Sequence, residues 1–212
     1  MQGLLGKKIG MTRIFNDQGH QVPVTAIMCG PCTVLQRKTM DHEGYNAVQL
    51  AFGEATEKHL TKADLGVCKK LNVKPLRHRC ELAMEAGDEF KPGDVVSVKM
   101  FEGVPFVDVV GISKGKGFAG VVRRYNMSGG PMTHGGHSKR RVGSVGCREL
   151  PGRIHKGKRM PGHMGVDRVT QQNLQVVKVN TEEHVLLVRG SVPGHSGAVL
   201  IVKKSLKRGL TK

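Results

Sequence analysis

Residues 101–124, FEGVPFVDVVGISKGKGFAGVVRR, change character at Ile112. Up to that point the chain is β-branched and aromatic, with Phe106, Val107, Val109 and Val110 in close succession, the composition of a strand in a packed sheet. Beyond it come Lys114, Gly115, Lys116 and Gly117, and a segment that continues in this way holds too little apolar surface to close a core. The boundary separates a body that can fold on its own side chains from a segment that needs a partner.

Outward on the body side, strand-like runs recur at 21–28, 33–38, 45–52, 76–84, 94–101, 106–112, 174–179, 184–189 and 198–203, mostly divided by Gly, Pro, Asp or Asn. In 76–84, Leu76, His78, Cys80, Leu82 and Met84 face one way, while Arg77, Arg79, Glu81 and Ala83 face the other. Many short strands of this kind predict a mainly β fold, a barrel or a sandwich. One helix is expected, with Thr61 as its cap, Asp64 three residues on, and Leu60, Ala63, Val67 and Leu71 at helical spacing, although Gly66 weakens it. The expected organisation is a body of residues 1–112 and 169–212, with a peripheral helical insertion at about 56–74, and an inserted basic segment at 113–168.

That segment carries 13 glycines. Between Ile112 and Thr170, 13 Lys and Arg stand against only Glu149 and Asp167, which places +11 of the chain's +17 in about a quarter of its length. A chain with 34 basic and 17 acidic residues and a pI near 10.0 repels itself unless a polyanion neutralises it. A solvated basic surface would spread the excess, and a linker seldom concentrates arginine, so the segment reads as an extended arm, poorly ordered alone, that penetrates RNA. Its phosphate-binding candidates are Lys114, Lys116, Arg123, Arg124, Lys139, Arg140, Arg141, Arg153, Lys156, Lys158 and Arg159, with His134 among them and Lys7, Lys8 and Arg13 added from the chain's opening. Gly115, Gly117 and Gly120 would let the backbone lie against phosphates.

Other chemistries lack parts. GKGFAG spells G-x-G-x-x-G, but VVRRYNMSGG follows it, short, β-branched and ended by Gly129 and Gly130, and Lys139–Arg141 stand where an acid should hold a ribose. Cys29-Gly30-Pro31-Cys32 has thioredoxin spacing, yet the pair sits between two strand-like runs, so Gly30-Pro31 more simply makes a turn. As a zinc half-site it lacks its second half; His134 and His137, three apart in a glycine-rich loop, suit a metal or RNA equally. No carboxylate pair or nucleophile constellation can be argued, so no enzyme, cofactor, metal or small-molecule substrate is expected. The opening residues hold only Leu4, Leu5 and Ile9 among glycines and lysines, so no membrane segment is expected, and five cysteines in no disulfide pattern suit reduced thiols in a cytosolic compartment. With two Tyr, six Phe and no Trp, stacking is not the main device expected for RNA. A free RNA or DNA chaperone is the rival binding class, and a thiol oxidoreductase using Cys29 and Cys32 the enzymatic one.

Residues 101–124 also resemble the signature of ribosomal protein three of the large subunit, in its bacterial form. GLLGKKIGMTRIF at 3–15 resembles that family's opening, and SGGPMTHGGHSKRRVGSVG, GKRMPGHMG, VTQQNLQVVKV and LLVRGSVPG resemble its later blocks in order, with 56–76 the least typical. The resemblance implies a split β-barrel of the kind shared with translation elongation factors, with a long arm inserted between strands. It implies a cytoplasmic protein of the ribosome, bound to large-subunit ribosomal RNA near the RNA chain ends, active early in assembly, with large-subunit proteins fourteen and nineteen as neighbours. The arm would run toward the peptidyl transferase centre, its tip around 143–151, so that Ser144, Val145, Gly146, Cys147, Arg148 and Glu149 lie nearest the catalytic RNA. Some bacterial members carry a methylated glutamine where this chain has Glu149, which offers no side-chain amide. The Cys29/Cys32 pair lies outside the family pattern.

Overall fold

The computed structural model describes residues 1–85 and 87–208. The chain divides into two units, Met1–Ile112 with the segment from Arg168 onward, and Ser113–Asp167. In the first, strands β1 (Gly3–Phe15), β2 (Gln21–Cys29) and β3 (Cys32–Lys38) precede a short helix α1 (Met40–Glu43), then β4 (Ala47–Glu54), helix α2 (Lys62–Lys70), β5 (Leu76–Ala83), β6 (Val95–Val96) and β7 (Phe106–Ile112). The second contains β8 (Phe118–Ala119), helix α3 (Val121–Tyr125) and β9 (Gly162–His163), and the first resumes with β10 (Arg168–Asn180), β11 (Val185–Arg189) and β12 (Val199–Lys204).

Six strands close a barrel in the order β1-β12-β7-β10-β11-β2, and β5-β4-β3-β6 form a second sheet. Every barrel pairing is antiparallel, and closure leaves no barrel edge open to another chain. The mainly β expectation therefore holds. Alternation does the sorting: Leu200 and Val202 of β12, Leu186 and Val188 of β11, and Val107 and Val109 of β7 are fully buried, each pair two residues apart as the pleat requires. They join Leu4, Ile27, Val34, Leu50 and Phe101 in one apolar cluster.

Sequence reading passes over β1, because glycines and lysines are poor strand formers. The structure supplies the reason for one of them: a Cβ at Gly3 would sit 2.1 Å from the carbonyl oxygen of Val202, so a side chain there would prevent β1 and β12 from pairing. A bulge in β10 between Gln171 and Leu174 is pinned by the buried Asp108 carboxylate, which accepts the Asn173 backbone N–H at 2.7 Å. The expected strand over 94–101 is a two-residue β6 followed by a 3-10 turn at Val98–Phe101; Val98 and Phe101 are both fully buried, so three-residue spacing reaches the core that alternation was expected to reach. The helical insertion forms as expected, with Thr61 Oγ1 accepting the Asp64 N–H at 3.3 Å, and the Arg79 guanidinium of β5 paired with the Asp64 carboxylate.

The second unit has a hydrogen-bonded root. Ser113 N–H donates to Asp167 O at 2.9 Å, Lys116 N–H to Met164 O at 2.9 Å and Met164 N–H to Gly117 O at 3.0 Å, after which Phe118 pairs with His163 and Ala119 with Gly162. Gly165, at φ +83°, lies so near the facing strand that a Cβ would stand 2.2 Å from Lys114 O. The stretch expected to stay non-helical after GKGFAG turns helical for five residues and stops where Asn126, at φ 56°, donates its N–H to Val122 O at 2.9 Å. A single turn needs little propensity when Val121 is buried beneath it. Among the described residues no helix is long and apolar enough to cross a membrane.

Candidate nucleic-acid interface

The cations of the second unit stand almost bare. Lys114, Lys116, Arg123, Lys139, Arg140, Arg141, Arg148, Arg153, Lys156, Lys158 and Arg159 are exposed, as is His134 at φ 58°. Among the described residues none of the unit's lysines or arginines lies within ion-pair distance of a carboxylate, whereas Lys38, Lys74, Arg79 and Lys204 of the first unit are paired with Glu81, Glu54, Asp64 and Glu85. The unit's only carboxylates are Glu149 and Asp167. Such a surface is complementary to a string of phosphates, which arginine forks and lysine ammoniums contact by charge and hydrogen bond.

Arg124 differs from its neighbour Arg123. It is half-buried, donates from Nη1 to Met160 O at 2.8 Å, and lies 5.1 Å from the centre of the Tyr125 ring, with Arg159 at 5.6 Å from the same ring. These contacts hold the stretch before β9 onto α3, and Arg124 serves the shape of the unit as much as its charge. Gly115, Gly117 and Gly120 are exposed, and a Cβ at Gly117 or Gly120 would meet nothing of the chain itself.

From Val142 to Ile154 no backbone or side-chain hydrogen bond is formed among the described residues. This span contains Ser144, Val145, Gly146, Cys147, Arg148 and Glu149, all exposed but the half-buried Val145. Its polar groups are open to whatever surrounds them.

Of the candidates in the opening strand, Lys7 and Arg13 are exposed, but Lys8 is not. Alternation turns Lys8 to the same inward face as Leu4 and Gly6, where it is 8% exposed, and its ammonium donates to Val192 O at 2.9 Å and Gly194 O at 3.0 Å. Expected on RNA, it instead ties β1 to the turn before β12. A charge count cannot reveal this; the period-two pattern Leu4, Gly6, Lys8 could have.

Cys29 closes β2 and Cys32 opens β3, both buried and unbridged. Burial pushes both thiols up, Cys32 to about 12, and the Cys32 S–H donates to the Leu5 carbonyl at 3.4 Å. A redox nucleophile needs the opposite shift. Among the described residues no three His, Cys, Asp or Glu side chains are placed to share a metal.

Against known proteins, the family model described as ribosomal protein L3 matches residues 69–185. The large ribosomal subunit protein uL3 of Heliobacterium modesticaldum is 48% identical over 206 residues, covering 97% of this chain and 98% of the relative. Those of Carboxydothermus hydrogenoformans and Brachyspira pilosicoli are 47% and 41% identical, covering 97% and 98% of this chain and 98% and 95% of the relatives.

Proposed function

The chain belongs to the ribosomal protein L3 family, a structural rather than enzymatic family, and from that premise we propose that it binds large-subunit ribosomal RNA through residues 113–167 as a cytoplasmic constituent of the large ribosomal subunit. The observation that carries the reading is the exposed, unpaired cations of that unit, set on a frame whose buried apolar side chains are Ala119 and Val121 alone. Such a unit lacks the apolar burial that fixes a fold by itself and gains most from a polyanion that neutralises it.

In this reading Lys114, Lys116, Arg123, Lys139, Arg140, Arg141, Arg153, Lys156, Lys158 and Arg159 contact phosphates, His134 hydrogen-bonds nearby, and Lys7 and Arg13 add contacts from β1. Arg124 shares its charge between RNA and the Met160 carbonyl, and Lys8 is left out. The bare backbone at Gly117 and Gly120 admits close approach of RNA. Family resemblance extends the proposal to a role early in assembly, to proteins fourteen and nineteen as neighbours, and to an arm whose tip, Ser144 to Glu149, approaches the peptidyl transferase centre and shapes it without performing the reaction.

The test replaces Arg123, Lys139, Arg140 and Arg141 with Ala in the full chain, then follows affinity for protein-free large-subunit RNA across salt concentrations and incorporation into subunits. The expected result is weaker binding, a salt slope shallower by about 0.7–0.9 for each phosphate that is no longer neutralised, and poor incorporation. Unchanged affinity and unchanged incorporation would overturn the proposal.

A further inference from the structure

The ribbon at the root of the second unit carries an aromatic ring that the phosphate reading leaves without a task. Phe118 pairs across the ribbon with His163, and Ala119 with Gly162. Ala119 is 3% exposed and Phe118 80% exposed, so the alternation of the strand turns Ala119 inward and Phe118 outward. His163, directly opposite and also exposed, shares the outward face, and side chains so placed have Cβ atoms about 4.5–5.5 Å apart. Two flat π systems are thus held side by side by backbone hydrogen bonds.

The unit's other aromatic side chain, Tyr125, is already engaged by the guanidinium groups of Arg124 and Arg159. Among the described residues no cation lies over the Phe118 ring. A single exposed phenyl group would ordinarily mean little. Here its position is fixed by register, its cross-strand partner is a second ring, and its surroundings are Lys114 and Lys116, with no acidic residue between Asp108 and Glu149. A neighbouring protein offering an apolar pocket would gain nothing from those charges, whereas an RNA strand supplies both a phosphate for the lysines and a base for the rings. Every base has a π face, and unpaired bases stack on Phe and His side chains.

We infer that Phe118 and His163 form a platform on which one unpaired base of the ribosomal RNA stacks, while Lys114 and Lys116 hold its flanking phosphates. The inference rests on the RNA-binding reading and adds to it a ligand class, a nucleobase, at a named place.

The chain contains no tryptophan, so Phe118→Trp in the full chain places a single indole on the platform, excited selectively at wavelengths where the two tyrosines do not absorb. Titration with protein-free large-subunit RNA is expected to quench that emission while affinity is retained. Phe118→Leu, which keeps apolar bulk without the π face, and Phe118→Ala are each expected to weaken binding about tenfold with an unaltered salt slope, because no charge is removed. Melting temperatures of the free variants should match the unaltered chain, since the side chain is outside the core. Binding by Phe118→Leu at full strength would overturn the platform, as would tryptophan emission that stays unchanged or shifts to the blue unquenched. If the unaltered chain itself fails to bind this RNA, the RNA-binding reading falls with it; if it binds and only the tryptophan remains silent, the platform alone falls.

Discussion

Residues 1–112 with the segment from 168 onward, and residues 113–167, hold their shapes by different means. Among the described residues, the first unit holds all but two of the buried apolar side chains, closes its strands into a barrel and pairs Lys38, Lys74, Arg79 and Lys204 with acids. The second buries only Ala119 and Val121 among apolar side chains and leaves its cations without acidic partners among the described residues. Hydrophobic burial needs no second molecule, so the first unit contains its own driving force. Electrostatic stabilisation by phosphate does need one, and it weakens as salt rises. On the proposed reading, one chain thus combines a part whose stability is internal with a part whose stability would be completed by bound RNA.

The widest gap between the units is expected in thiol chemistry. A thiol held at about 12, as Cys32 is, is ionised in roughly one molecule in ten thousand at pH 8, and only the thiolate attacks an alkylating agent. Cys147 is exposed and Cys29 and Cys32 are buried, so iodoacetamide at pH 8 followed by peptide mass analysis should label Cys147 first and leave the pair unlabelled until the barrel is unfolded. Early labelling of Cys32 would show that the first unit opens locally where β2 passes into β3.

Leucine truncation gives the next contrast. Leu200→Ala in the barrel removes a fully buried side chain and should cost about 2–5 kcal/mol. Leu150→Ala, at a position 81% exposed, should stay within about 0.5 kcal/mol in the free protein. Chemical denaturation read by circular dichroism measures both. Equal effects would mean that residues 142–154 are packed rather than open.

A smaller effect separates two cations. Lys8→Met leaves the Val192 and Gly194 carbonyls without their donor and should destabilise the barrel by about 1–3 kcal/mol, with no change in the salt slope of RNA binding. Arg123→Met should do the reverse. A shallower salt slope for Lys8→Met would return that ammonium to the RNA.

Much of this is legible in the amino-acid order alone. The run 106–112 coincides with β7, and Thr61 caps α2 as its spacing with Asp64 suggests, because local composition and geometry suffice where a segment follows one rule. β1 is not legible, since the need for Gly3 comes from Val202 on a strand nearly two hundred residues away. The partners of Lys8 are hidden for the same reason, as its acceptors are carbonyls 184 and 186 residues distant, although its alternation with Leu4 and Gly6 marks the inward aim. In the candidate interface the sign and density of charge can be read directly, but the split between Arg123, exposed, and Arg124, bound to Met160, depends on a fold-back that no spacing encodes. Phe118 is visible only as one of few aromatics; its outward aim follows from a two-residue register with Gly162 and His163.

Ile112 and Arg168 face each other as paired residues of β7 and β10. An excursion that leaves and returns at facing positions is, for the barrel, simply a hairpin connection. The entropy of closing such a connection grows with the logarithm of its length, each doubling adding only about 0.6 kcal/mol. Evolution can therefore extend or prune the segment after Ile112 at little thermodynamic penalty to the strands that anchor it, and the fold tolerates size variation there as an ordinary surface loop would.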